Sequence, residues 1–181
     1  MKIISGIYKG RTLDGYNISG TRPTMDRVKE SLFAMIQDYI KDSTVLDLFS
    51  GSGNLGIEAL SNGAKVAYLV DNNNIAIKTI NSNIKILNID NAKVLKGDYK
   101  SILNNINTKF DLIFLDPPYE TNYLEESIKL IIDNDLLKES GLIICESSSL
   151  DKIIYPNNLE VYKEKKYGDK YVVILKHIWY N

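Results

Sequence analysis

Val45-Leu46-Asp47-Leu48-Phe49-Ser50-Gly51-Ser52-Gly53-Asn54-Leu55-Gly56 runs from a buried strand over Val45 to Leu48 into a G-x-G-x-x-G loop. A short helix over Ile57 to Ser61 follows and stops at Asn62-Gly63. Outward from this unit the pattern repeats. Val66 to Val70 reads as a second strand, and Ala76, Ile80, Ile84 and Leu87 stripe a helix. Ala92 to Lys96 is strand three, Ser101 to Ile106 a helix, Phe110 to Leu115 strand four, Leu124, Ile128 and Ile131 a helical stripe, and Gly141 to Glu146 strand five. Such alternation predicts parallel units with helices on both faces of one sheet. Leu159 to Tyr167 and Tyr171 to Ile178 are joined by Gly168-Asp169 with no helix between them, so one of the pair must run antiparallel. The expectation is α/β, a mostly parallel seven-stranded sheet closed by an antiparallel hairpin strand. Before it, residues 1–18 predict a small hairpin. Pro23 opens a helix with Val28, Leu32, Met35/Ile36 and Tyr39 inward, and Arg27, Lys29 and Glu30 on its other face.

The glycine loop in this context predicts a nucleotide-like ligand, and Asp47 selects among the candidates. A buried carboxylate beside the loop would repel the pyrophosphate of a dinucleotide, yet it attracts the sulfonium and ammonium of S-adenosylmethionine. Asp71 ends the second strand 24 residues after Asp47, close to the offset at which an acid takes a ribose hydroxyl pair, and Asp98 follows the third strand. Asp116 follows the fourth and opens Asp116-Pro117-Pro118-Tyr119. Two prolines hold φ and remove two backbone donors, so a carboxylate, free carbonyls and a ring share one stiff turn. That combination suits a planar, amine-bearing group such as a nucleobase.

At 181 residues and 44% apolar content, one domain with a sizeable core is expected. Net charge is −1, so the chain lacks the overall basic signature of a nucleic-acid coat. All three arginines, Arg11, Arg22 and Arg27, lie in the first 27 residues, and residues 1–41 carry seven Lys/Arg against four Asp/Glu, a local balance of +3. With one cysteine and one histidine there is no disulfide within the chain and no Cys/His set for zinc; Cys145 is expected in the core. No run approaches the ~20 apolar residues of a membrane span, and a cytoplasmic location is expected.

These residues resemble the class I S-adenosylmethionine-dependent methyltransferases, which have a Rossmann-like fold. Two further stretches, Ile4-Ser5-Gly6-Ile7-Tyr8-Lys9-Gly10-Arg11 and Arg22-Pro23-Thr24-Met25-Asp26-Arg27-Val28-Lys29-Glu30-Ser31-Leu32-Phe33, resemble the bacterial 16S rRNA guanine-N2 methyltransferases, as does Lys166-Tyr167-Gly168-Asp169. The resemblance covers essentially the whole chain. It implies methylation of guanine 966 of small-subunit rRNA on an assembling particle, with adjacent ribosomal proteins as further partners, a monomer, and no metal. It also implies one methyltransferase domain over residues 1–181, with 1–40 an extension for RNA contact and 44–181 the catalytic core. Asp47, Gly51 and Gly53 would then line the methionine end of the cofactor, Asp71 would take the ribose hydroxyls and Asp98 the adenine amine. Phe49, Asn72 and Tyr99 complete that set. Asp116, Pro117, Pro118 and Tyr119 would be the amine-methylating tetrapeptide, and Lys9, Arg11, Arg22 and Arg27 would meet RNA phosphates.

Alternatives stay open on the residues themselves. The tetrapeptide recognises an amine and not a particular base, so adenine N6 or cytosine N4 in DNA or another RNA fits it, and a non-catalytic RNA-binding module is the rival from another class. Methylation of a protein glutamine is less favoured, since enzymes of that kind resemble this pattern with asparagine at the position of Asp116.

Overall fold

The computed structural model describes residues 1–15, 23–119, 121–148 and 153–178. Seven strands form one sheet: β1 (Thr44–Asp47), β2 (Val66–Asp71), β3 (Ala92–Lys96), β4 (Phe110–Leu115), β5 (Leu137–Ser147), β6 (Leu159–Tyr167) and β7 (Lys170–His177). Their order is β3-β2-β1-β4-β5-β7-β6. The first five are parallel, and β7 pairs antiparallel with both β5 and β6, as the helix-free Gly168-Asp169 connection requires.

Strand order reverses between β1 and β4, which leaves a crevice at their carboxyl ends. Asp47 pairs with Phe114 there, so the glycine loop and Asp116 leave the sheet side by side. Burial supplies the driving force. β1 and β4 are almost wholly inaccessible because helices cover both faces, and their unbroken apolar runs follow from that. Helices α1 (Pro23–Met35), α2 (Asn54–Ser61) and α3 (Asn74–Ile86) cover one face through Leu32, Ile57 and Ile80; α4 (Tyr99–Asn105) and α5 (Tyr123–Asp133) cover the other through Leu103 and Ile128.

Several boundaries differ from expectation for local reasons. Helix α2 starts at Asn54 and takes in Gly56, because the missing side chain lets the helix lie on Leu69. Helix α4 starts at Tyr99 because the Asp98 carboxylate accepts from the Ser101 amide, 3.0 Å, and caps it. The amino-terminal hairpin is reduced to one antiparallel bridge, Lys2 to Thr12, and residues 16–18 lie outside the described residues. Ile3 and Leu13 donate across it to the Arg11 and Met1 carbonyls, but Ile4 and Ser5 donate to the Glu58 carboxylate and Ile7 to the Ser61 carbonyl. Lys29, expected on the outward face of α1, is instead buried at 2% exposure because Glu58 pairs with it.

Candidate active site

Above the β1/β4 crevice lies an open pocket of about 1400 Å³. Its floor is the glycine loop, shaped by two acids. Asp47 Oδ2 accepts from the Ser50 hydroxyl and the Gly56 amide, both at 3.0 Å. Asp71 accepts the Gly51 amide on one oxygen, 2.9 Å, and the Asn73 amide on the other, 3.0 Å. Each acid thus ties its strand end to a loop, and both still face the pocket. Gly51 and Ser52 line it, whereas Gly53 sits buried below at φ 86° and opens α2. Gly53 therefore serves the turn more directly than ligand approach.

Burial is the main cause that raises Asp47 to about 7; the Gly56 and Ser50 hydrogen bonds oppose it, while Glu146 and Asp71 add repulsion. A neighbouring cation is what would favour its ionised form. The pocket also holds Asp71, Asp98, Asp116 and Glu146. Its two lysines are already engaged, Lys29 by Glu58 and Lys170 by Glu146. This chemistry fits a sulfonium-bearing nucleoside and disfavours a pyrophosphate.

One wall is aromatic. Phe49 stacks on Tyr123, centroids 6.3 Å apart and planes 7° from parallel, and Tyr99 packs against both. The Tyr99 hydroxyl donates to Glu126, and burial and that carboxylate raise its pKa. Asp98 and Asn72 stand exposed at the rim. Phe49, Asn72, Asp98 and Tyr99 are thereby brought together. Tyr123 joins them unforeseen, because in sequence it looks only like the first residue of an exposed helix.

Asp116-Pro117-Pro118-Tyr119 forms another wall. Pro118 is pinned by the Thr121 hydroxyl, which donates to its carbonyl at 2.9 Å, and the Tyr119 ring is 60% exposed. Two residues missed in sequence complete this wall. Glu146, at the end of β5, is 6% exposed and lies 2.9 Å from Lys170 Nζ, which is 3.9 Å from Asp116 Oδ2. Glu146 carries the same signal as the other acids, an acid closing an apolar strand. Lys170 carries none, since only the β6–β7 register brings it here.

The basic residues separate. Arg22 lies outside the described residues. Arg27 is exposed beside Val28 and Lys29, which line the pocket. Arg11 donates to the Ile86 carbonyl at the last residue of α3, and the neighbouring Tyr8 and Ile7 amides bond Ser61 at the last residue of α2. Those helix ends point away from the crevice. Thr12, next in the chain to Arg11, nevertheless lines the pocket, so Arg11 differs from Arg27 in having its guanidinium bound to a backbone carbonyl.

Comparison with known proteins agrees with this architecture. Residues 1–176 match the family model described as Conserved hypothetical protein 95. The ribosomal RNA small subunit methyltransferase D of Buchnera aphidicola is 38% identical over 164 residues, 90% of this chain and 86% of that protein. Its Escherichia coli counterpart is 37% identical over 169 residues, 93% and 85% respectively. The solved structure of Escherichia coli yhhF superposes with a TM-score of 0.89 at 35% identity, covering 98% of this chain and 97% of that one. With its glycine loop, acid-tipped strands and 3-2-1-4-5-7-6 sheet, this chain belongs to the ribosomal RNA small subunit methyltransferase D family.

Proposed function

We propose that this protein transfers a methyl group from S-adenosylmethionine to the exocyclic N2 amine of a guanine in 16S rRNA, position 966 by resemblance, within an assembling small subunit in the cytoplasm. The observation that carries this is that Asp116-Pro117-Pro118-Tyr119 and the glycine loop line one and the same acid-lined pocket. Residues 1–181 would act as one methyltransferase domain, with 1–40 the extension toward RNA and 44–181 the core.

Asp47, Asp71 and the Gly51 turn would hold the methionine and ribose parts of the cofactor, and Phe49, Asn72, Asp98 and Tyr99 the adenine. When bound, the cofactor supplies a methyl group made electrophilic by its sulfonium. The chain's own task is then alignment, and positioning of this kind can lower a barrier by up to roughly 7 to 11 kcal/mol. Asp116 and the Pro117 carbonyl accept the two amine hydrogens, which turns the nitrogen lone pair toward the methyl group. Tyr119, largely exposed at the rim, is placed to stack on a base flipped out of its helix.

Two variants test the division of roles. Asp116→Ala should abolish labelled-methyl transfer to small-subunit particles while cofactor affinity, measured by calorimetry, stays within about twofold. Asp71→Ala should weaken the cofactor instead. Equal cofactor loss in both would overturn the assignment. Mapping the modified base in rRNA from cells lacking the protein checks the guanine.

A further inference from the structure

Methylating an amine leaves positive charge on nitrogen, and one N–H proton must leave. In the pocket wall the group nearest that task is Asp116, and it does not stand alone. Lys170 from the start of β7 lies between it and Glu146 from β5, 2.9 Å from Glu146 Oε2 and 3.9 Å from Asp116 Oδ2. Lys170 occupies this place because the Gly168-Asp169 turn starts β7 there and the register sets Tyr171 against Ser147 and Val172 against Glu146. The turn that closes the sheet therefore also delivers a cation to the site.

We propose that Glu146 is a positioning residue for Asp116: it holds the Lys170 ammonium, which in turn orients the Asp116 carboxylate, and Asp116 takes the proton released by the methylated amine. The inference rests on the amine-methylation function proposed above. In the step, the N–H bond breaks with its electron pair left on nitrogen, and an O–H bond forms from a lone pair of the pocket-facing Asp116 oxygen. The nitrogen becomes neutral and Asp116 carries the proton until product departs and solvent removes it.

The groups facing Asp116 agree with this. Desolvation is the largest cause raising its pKa, Glu146 follows, Lys170 opposes, and Asp47 from β1 adds repulsion. Tyr119 on the same turn acts on Lys170, and Asp71 from β2 acts on Asp47. Removal of either neighbour therefore moves Asp116 in a direction set by charge.

Carboxyl carbon NMR titration of the cofactor-free protein, together with single-turnover transfer against pH, tests the proposal. Glu146→Gln removes a negative neighbour at constant shape and frees Lys170, so Asp116 should titrate lower. Lys170→Met should move it higher, and Lys170→Arg should restore it. In transfer, Glu146→Gln should lower the plateau rate about 10-fold or more, the scale of a misplaced proton acceptor, and shift the acid limb to lower pH, with cofactor affinity unchanged. If Asp116→Asn is inactive but Glu146→Gln keeps both the wild-type titration and the wild-type rate, the positioning role is overturned and the amine-methylation function stands. If Asp116→Asn itself transfers normally, the proton-accepting role of Asp116 falls and this inference with it, while the amine-methylation function stands; wild-type protein that transfers no methyl to the particle overturns that function.

Discussion

Lys29 Nζ lies 2.9 Å from Glu58 Oε1, and the two side chains are 2% and 0% exposed. The ammonium also donates to the Lys2 carbonyl, 2.6 Å, and to Asn54 Oδ1, 2.8 Å, while Glu58 accepts from the amides of Ile4 and Ser5. One buried pair thus fastens the amino-terminal segment and α1 to the first turn of α2, directly after the glycine loop. Removing one partner leaves an uncompensated charge in the core, at a cost of about 3 to 5 kcal/mol. Lys29→Met should lower the melting temperature by roughly 10 °C for a chain of this size, read by calorimetry. A change under about 2 °C would show that water reaches Glu58.

Gly56 meets the sheet more closely than any side chain allows. A Cβ there would stand 2.1 Å from Leu69 Cδ2 and 3.4 Å from Asp47 Oδ2. Leu69 is fully buried, so it can yield only by disturbing the core. Gly56→Ala should cost about 1 to 3 kcal/mol in urea unfolding and also weaken the cofactor, because the carboxylate that Gly56 anchors moves with α2. A stable variant with intact binding would contradict this packing.

Asp47 makes stability depend on pH. The unfolded chain releases this proton near 3.8, whereas the fold holds it to about 7. Between those values the native state binds more protons, so this group's contribution to stability falls as pH rises from about 4 through 7. Asp47→Asn should therefore raise the melting temperature of the cofactor-free protein at pH 8 and change it little at pH 4. The same variant should lose cofactor affinity, since the attractive charge is gone. A melting gain that is equal at both pH values would refute the titration.

RNA affinity should divide along the geometry of the basic residues. Arg27 stands exposed beside the pocket-lining Val28 and Lys29, whereas the Arg11 guanidinium is engaged with the Ile86 carbonyl. Arg27→Ala should weaken particle binding and reduce the salt slope by about one, measured by filter binding across a salt series. Arg11→Ala should do less. The reverse order would place RNA along the amino-terminal segment.

The sequence by itself determined the fold class and most of the pocket. Period-two and period-3.6 hydrophobic patterns are local consequences of burying one face, so strands β3, β4 and β6 were legible to the residue. The acids at strand ends were legible too, because a carboxylate closing an apolar run has no packing role there. Tertiary structure alone decided the partners. Lys29 read as a surface charge on the polar side of α1, and only the approach of Glu58 from α2 makes its burial tolerable. Arg11 read as a free cation alongside Arg27, yet the fold binds its guanidinium to the Ile86 carbonyl. Lys170 is 54 residues from Asp116, and the register of an antiparallel hairpin sets their 3.9 Å separation. Local pattern reports which face a residue buries; which charges meet depends on strand order and register, and these are settled only when the sheet assembles.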